Sequence, residues 1–140
     1  MVLLIDNYYS FTWNLADLVR RSHELIVIRN DELSIEEMTK LQPEGLLISP
    51  GPGRPSNSGI SEKAITHWSD KIPVLGICLG HQLLGSMFGA KVIYADEPVH
   101  GKTSDIEHNG QGIFERDSNT HLCYEVPFPD FGGRKHLKKF

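Results

Sequence analysis

The most informative segment of the sequence is Val74-Leu75-Gly76-Ile77-Cys78-Leu79-Gly80-His81-Gln82. Its first four residues form an apolar run that predicts a strand buried on both faces, as in a parallel sheet. The residues from Cys78 onward predict a helix that ends near Phe88-Gly89. A buried strand that turns directly into a helix is the basic step of an α/β fold.

The same strand-to-helix step occurs three times upstream of this segment. The predicted strands are Val2–Asp6, Leu25–Ile28 and Gly45–Ser49, with weaker signals at Lys91–Tyr94 and Thr103–Ile106. The first helix is predicted to begin at Ser10 and to bury one face, formed by Phe11, Leu15, Leu18, Val19 and Ser22. The third helix carries apolar residues at helical spacing, namely Ile60, Ala64, Ile65 and Trp68. Four such steps with short connections predict a doubly wound, mostly parallel sheet with functional groups at the carboxyl ends of its strands.

The second helix has the clearest start signal. Ser34 is its predicted N-cap, and Glu37 three residues later completes a capping box. Leu33 and Met38 stand where a hydrophobic staple places its two apolar residues.

Length and composition limit the class of protein. The chain has 140 residues, of which 39% are hydrophobic and 23% charged, as in one globular domain. No apolar run approaches the roughly 20 residues that span a bilayer, and the opening Met1–Asp6 lacks the features of a signal peptide. With 14 Lys and Arg against 18 Asp and Glu, nothing indicates a nucleic-acid partner. Two cysteines, Cys78 and Cys123, exclude a disulfide scaffold and fit a reducing, cytoplasmic setting.

The sequence Gly76-Ile77-Cys78-Leu79-Gly80 has the spacing of a nucleophile elbow. Glycines on both sides let the strand and helix approach, and the predicted helix N-terminus favours a thiolate with a lowered pKa. The alternative is a small buried cysteine, the usual state of a free cysteine. The position at a strand-to-helix junction favours the nucleophile, so we expect Cys78 to be the reactive thiol and Cys123 an ordinary one.

A second feature, Ser49-Pro50-Gly51-Pro52-Gly53, follows the third predicted strand. Taken alone, it predicts a tight loop and nothing more. At a strand end beside the elbow, however, it brings free backbone N–H groups near a thiolate. Acyl transfer requires that arrangement, because preorganised donors must stabilise the oxyanion.

Four ordered motifs within residues 1 to about 115 resemble the class I (triad) glutamine amidotransferases. They are Asp6-Asn7-Tyr8-Tyr9-Ser10-Phe11-Thr12-Trp13-Asn14-Leu15, Ser49–Gly53, Gly76–Gln82 and His100-Gly101-Lys102. The elbow is common to the class, whereas the first and last motifs resemble the small subunits that serve anthranilate synthase or aminodeoxychorismate synthase. The resemblance implies a flavodoxin-like sheet, an amidotransferase domain over residues 1–115 and a divergent tail over residues 116–140.

The resemblance implies hydrolysis of glutamine through a thioester on Cys78, without a metal or other cofactor. The backbone N–H groups of Gly53 and Leu79 would hold the oxyanion. Gln82 and the backbone of Gly51-Pro52-Gly53 would hold the substrate.

The resemblance also implies a partner, because the ammonia would pass to a component I subunit that aminates chorismate. Asp6–Leu15 and His100–Lys102 would serve that interface or its signalling. The sequence does not separate the anthranilate branch, which leads to tryptophan, from the aminodeoxychorismate branch, which leads to folate.

The sequence departs from the family near its end. The family supplies its base and the orienting carboxylate as His-x-Glu, and none of the 7 histidines here is followed two residues later by Glu. The family's Arg-Tyr-His-Ser-Leu segment is also absent, and the resemblance stops near Glu115. We expect residues 117–140 to be irregular, or helix or strand of low order.

A one-base frameshift near Arg116 is our hypothesis for this change. Codons permitted for Asp117–Pro129, with one nucleotide dropped, allow Ile-Pro-Thr-Pro-Thr-Phe-Ala-Met-Arg-Tyr-His-Ser-Leu, which continues the family sequence. Codon degeneracy permits many other translations, and the alternative is a lineage with a different tail.

Three functions fit these observations. The chain is an impaired glutaminase of this family, a non-catalytic remnant that binds the partner, or an unrelated α/β cysteine hydrolase with His81 or His100 as base. Ammonia release from glutamine, with and without a chorismate-using partner, separates them.

Overall fold

The structure, a computed structural model, describes residues 1–92, 103–107, 109–115 and 120–124. The chain divides into two compact units, Met1–Val92 and Ile93–Phe140. The first unit contains both the elbow and the Pro/Gly loop. The boundary after Val92 separates two compact units of the structure. The predicted boundary after residue 115 has a different basis, because it marks where the family resemblance ends.

The first unit contains four parallel strands in the order β2-β1-β3-β4. They are β1 (Val2–Asp6), β2 (Leu25–Arg29), β3 (Gly45–Ile48) and β4 (Val74–Gly76). This order confirms the predicted doubly wound α/β fold. It also places a topological switch point between β1 and β3, because the chain leaves those neighbouring strands in opposite directions. Ligand sites in such sheets form outside the carboxyl ends of the strands at that point.

Four helices connect or follow these strands: α1 (Thr12–Arg20), α2 (Ile35–Lys40), α3 (Ser61–Trp68) and α4 (Leu79–Met87). The predicted capping box of α2 is confirmed, since the Glu37 N–H donates to Ser34 Oγ (3.2 Å) and the Ser34 N–H donates to Glu37 Oε2 (2.8 Å). Within the described ranges, no helix combines the length and hydropathy needed to cross a membrane.

The sheet is buried on both faces because its strand residues alternate between two apolar clusters. Leu3 and Ile5 of β1 belong to the larger cluster, together with residues of α2, α3 and α4, namely Met38, Ala64, Ile65, Trp68 and Leu83. Leu4 points to the smaller cluster, which includes Ala16 of α1. This double burial explains why the strands of the sequence are continuous apolar runs.

The predicted start of α1 is wrong. The N-cap is Phe11 and not Ser10, and the cap side chain makes no hydrogen bond to the helix. The Asp6 carboxylate instead fixes the turn that precedes the helix, because its Oδ1 accepts from the Tyr9 N–H (3.2 Å) and the Thr12 hydroxyl (2.7 Å). The chain therefore makes an additional turn before the helix begins.

The buried face of α1 also differs from the predicted face. The predicted face includes Phe11 and Leu18, yet these side chains are 58% and 57% exposed. Leu15 and Val19 do pack against the smaller cluster, where Ala16 is fully buried.

The second unit contains an antiparallel pair, β5 (Thr103–Glu107) and β6 (Thr120–Tyr124). The predicted strand at Thr103–Ile106 is therefore confirmed. Within the tail, residues 120–124 form a strand, which is one of the outcomes expected for residues 117–140. Lys91 and Val92 lie outside any strand, and residues 93–102 lie outside the described residues, including the rest of the strand predicted at Lys91–Tyr94 and the His100-Gly101-Lys102 motif.

Ser34→Ala should lower the free energy of unfolding by about 1 kcal/mol, because it removes the N-cap acceptor of α2. Urea unfolding measures the loss, and Ser69→Ala, at an exposed serine after α3, is the matched control. Equal losses of unfolding free energy in Ser34→Ala and Ser69→Ala would contradict the capping argument.

The capping box should also make the stability depend on pH. Hydrogen bonding to the Ser34 N–H lowers the pKa of Glu37 from 4.5. The stabilisation that Glu37 contributes is thus present above pH 4.5 and is lost as the pH falls through the lowered pKa.

Candidate active site

Cys78 occupies a strained turn between β4 and α4. Its backbone has φ 54° and ψ −105°, in a region that residues with a side chain seldom adopt. The turn is held by two backbone hydrogen bonds, from the Ile77 N–H to the Ile48 carbonyl (3.0 Å) and from the Gly80 N–H to the Ile77 carbonyl (3.0 Å). Strain of this kind persists only where the surroundings fix it, and it is typical of functional sites.

The two glycines of the elbow are required by close backbone packing. A Cβ on Gly76 would lie 2.3 Å from the carbonyl carbon of Gly80. A Cβ on Gly80 would lie 2.5 Å from the carbonyl oxygen of Ile48, at the end of β3. No side chain fits at either position, so the glycine spacing has a steric cause.

The Pro/Gly loop meets the elbow through Gly51. Gly51 is buried, and a Cβ there would lie 2.6 Å from Leu79 Cδ2. Pro52 and Gly53 are exposed, and Gly53 adopts φ 83°, which favours glycine. The loop and the elbow leave the carboxyl ends of neighbouring parallel strands, β3 and β4. The predicted oxyanion donors, Gly53 and Leu79, therefore stand on adjacent segments.

Gln82 lies one turn into α4, where its N–H donates to the Cys78 carbonyl (2.9 Å). Its side chain is half-buried, and His81 beside it is exposed. In the described ranges, no three His, Cys, Asp or Glu side chains converge as ligands for a metal ion.

The surroundings of Cys78 contradict the prediction that its thiol has a lowered pKa. Burial raises the pKa of the Cys78 thiol to about 11, and the hydrogen bond from the Leu79 N–H offsets only part of that effect. Desolvation thus outweighs the helix N-terminus, and the thiol is protonated at neutral pH. The side chain of Cys123 lies outside the described residues, so its ordinary reactivity stays a prediction.

The opening segment Asp6–Leu15 separates into buried and exposed side chains. Asn7 and Thr12 are buried, whereas Tyr8, Phe11 and Trp13 are between 50% and 58% exposed. Sequence reasoning assigned the whole segment to the partner and overlooked Asn7. The available signal was a short amide directly after a buried strand, at a switch point where the chain must satisfy several backbone groups.

The fold and the elbow together define an α/β protein with a cysteine at the nucleophile position. Residues 3–125 match the family model described as glutamine amidotransferase class-I, and the chain belongs to this family. Membership of this family contradicts the third function considered above, that of an unrelated α/β cysteine hydrolase. The match runs ten residues beyond residue 115, where the predicted domain ends.

Several curated relatives have the same residue as this chain at about half of the aligned positions. "Aminodeoxychorismate/anthranilate synthase component 2" of Bacillus subtilis is 53% identical over 116 residues, which cover 82% of this chain and 60% of the relative. "Anthranilate synthase component 2" of Pyropia yezoensis is 50% identical over 88% of this chain and 66% of the relative. "Aminodeoxychorismate synthase component 2" of Escherichia coli is 47% identical over 85% of this chain and 64% of the relative. The chain thus spans less than two thirds of the length of these relatives.

A solved structure supports the fold independently. A protein of Thermoplasma acidophilum, described as part of a GMP synthase, superposes with a TM-score of 0.71 at 24% identity. The superposition covers 89% of this chain and 62% of that protein. At this identity the likeness concerns the fold alone.

The rate at which iodoacetamide alkylates Cys78 should rise about tenfold per pH unit up to about pH 10, without levelling off. The shift of the pKa from 9.0 to about 11 leaves about 100-fold less thiolate at neutral pH than in an ordinary cysteine. Mass spectrometry of the Cys78 peptide measures the rate. The chain unfolded in urea is the control, and its profile should level off near pH 9. A folded profile that levels off below pH 9 would contradict the burial argument.

Proposed function

We propose that the chain is a glutaminase subunit that supplies ammonia to a chorismate-using synthase in the cytoplasm. The observation that carries the proposal is the elbow, in which two sterically required glycines hold Cys78 at φ 54° at the end of β4. The relatives named as component 2 of anthranilate and aminodeoxychorismate synthases support the branch.

The reaction would begin with attack of Cys78 Sγ on the amide carbon of glutamine. The N–H groups of Gly53 and Leu79 would stabilise the oxyanion, while Gly51-Pro52-Gly53 and Gln82 would hold the substrate. The tetrahedral intermediate then collapses with cleavage of the C–N bond, and the leaving nitrogen takes up a proton and departs as ammonia. Water hydrolyses the thioester, releasing glutamate and restoring the thiol.

Three of these steps need a general base or acid. Because burial keeps Cys78 in its thiol form, a base must remove the proton before attack, and the same group must protonate the nitrogen and activate water. The family's His-x-Glu does not occur in the 140 residues. We therefore propose that the 140-residue chain is impaired in hydrolysis, and the alternative is a remnant that binds the partner without turnover.

The frameshift near Arg116 is our proposal for the loss of the family segment. It is supported by the permitted translation of Asp117–Pro129 in the next frame, which contains Arg-Tyr-His-Ser-Leu. The nucleotide sequence around codon 116 and downstream tests it. A next frame that does not encode this segment would favour a truly different tail.

The 140-residue chain should release little or no ammonia from glutamine, even with a component I subunit present. A frame-repaired chain that extends through His-x-Glu should be faster by several orders of magnitude, since each general acid or base typically contributes about 10²–10⁴-fold. An ammonia assay on both chains measures the difference, and Cys78→Ala in the repaired chain sets the background. Comparable activity in the two chains would mean that another residue is the base, and His81 would be the first to replace.

The partner would bind at the exposed aromatic residues Tyr8, Phe11 and Trp13, which we call the aromatic face. These three side chains lie at the carboxyl end of the sheet, where the elbow also lies. Arg20 lies 5.6 Å from the centre of the Trp13 ring and Arg29 lies 4.9 Å from the Tyr8 ring, so both rings are held in place. Fixed aromatic residues are frequent hot spots of protein interfaces.

Trp13→Ala should weaken binding to component I about tenfold, because it removes a large ring from the interface. Phe88→Ala is the matched control, since Phe88 is 74% exposed at the far end of α4, near the amino ends of the strands. Calorimetric titration with component I measures both. An equal effect of the two variants would remove the aromatic face from the proposed interface.

A further inference from the structure

The side chain of Asn7 connects four parts of the first unit. It is 3% exposed and lies directly after β1. Its Nδ2 donates to the Ser49 carbonyl (3.1 Å), and its Oδ1 accepts from Asn30 Nδ2 (2.9 Å) and the Ser61 hydroxyl (3.1 Å). The Asn7 N–H also donates to Ser49 Oγ (2.8 Å). The ends of β1, β2 and β3 and the first turn of α3 are thus joined by one amide.

These contacts act on the loop that carries Gly53. Ser49 is its first residue, and Ser49 Oγ donates onward to the Pro50 carbonyl (2.6 Å). Gly51 is enclosed between Asn7 and Leu79, since a Cβ there would lie 2.5 Å from Asn7 Cβ and 2.6 Å from Leu79 Cδ2. Asn7 therefore fixes both the direction in which the loop leaves β3 and its distance from the elbow.

We propose that Asn7 is a positioning residue for the oxyanion site. Its amide holds the segment Ser49–Gly53 so that the N–H of Gly53 and the N–H of Leu79 point to one oxygen. This assignment rests on the proposed glutaminase function, because it concerns the same two donors. Asn7 touches neither thiol nor substrate in this proposal, and it acts through the loop.

Asn7→Asp is the decisive variant because it keeps the shape of the side chain. Burial and the facing Ser49 carbonyl raise the pKa of the new carboxyl group, so the ratio is measured up to pH 10, where the group is ionised. The carboxylate still accepts from Asn30 and Ser61, but the Nδ2 donor becomes an oxygen facing the Ser49 carbonyl. Two acceptors about 3 Å apart form no hydrogen bond and repel each other, and a buried unpaired carbonyl is costly. The loop should therefore shift while the sheet keeps its packing.

The experiment compares two reagents on Cys78 of the 140-residue chain. A chloromethyl ketone analogue of glutamine alkylates the thiolate, forming the S–C bond as the C–Cl bond breaks and chloride leaves. Its ketone oxygen occupies the oxyanion site, whereas iodoacetamide needs only an accessible thiolate. The ratio of the two rates cancels the thiolate fraction, so a purely structural role in exposure or pKa would leave it unchanged.

Asn7→Asp should lower this ratio about tenfold or more, and Ser61→Ala, which removes one of the donors to Oδ1, about threefold. Gln42→Glu and Ser86→Ala make the same chemical changes at exposed positions, and their ratios should stay within about twofold of the parent. Circular dichroism and urea unfolding report whether each variant is folded. If Asn7→Asp does not fold, Ser61→Ala decides, because alanine is compatible with α3.

An unchanged ratio in a folded Asn7→Asp chain, or in Ser61→Ala when the first variant is unfolded, would overturn the positioning role. The parent chain tests the proposed function separately. If the ratio of the two rates on the folded parent is no higher than the same ratio for a free thiol, the glutaminase proposal fails, and the assignment of Asn7 fails with it.

Discussion

The contact between Gly80 and the carboxyl end of β3 is the constraint on which the rest of the site depends. The Ile48 carbonyl accepts the Ile77 N–H on one side of the turn and leaves no space for a Cβ at Gly80 on the other. The start of α4 is thereby held against the sheet within a few residues of β4. The chain can make so sharp a turn only if Cys78 takes a positive φ, and that turn places the thiol at the strand ends.

In the proposed function, the geometry of the nucleophile is separate from the acid–base chemistry that it needs. The elbow, the Gly51–Gly53 loop and the amide of Asn7 are all built within Met1–Val92, which is compact on its own. Their geometry depends on backbone packing and on hydrogen bonds between strand ends, and not on an ionised side chain. In the proposed function, this unit would hold the substrate site and the partner surface, while turnover would depend on residues elsewhere.

Much of the fold could be predicted from the sequence because its signals are local and steric. Continuous apolar strands, the Ser34 capping box and the glycines around Cys78 each reflect a contact that the structure contains. The start of α1 could not be predicted, because the turn before the helix is held by the carboxylate of Asp6, which accepts from Tyr9 and Thr12. The pKa of Cys78 depends on how much protein surrounds the thiol, and spacing along the chain carries no measure of burial. The bonds of Asn7 join residues up to 54 positions apart, so no local pattern announced them.

The burial of Cys78 has a consequence for the chemical durability of the protein. Peroxides attack thiolates and react slowly with thiols, so the raised pKa of Cys78 should slow its oxidation to sulfenic acid. The same desolvation that makes the thiol a weaker nucleophile thus favours its reduced form.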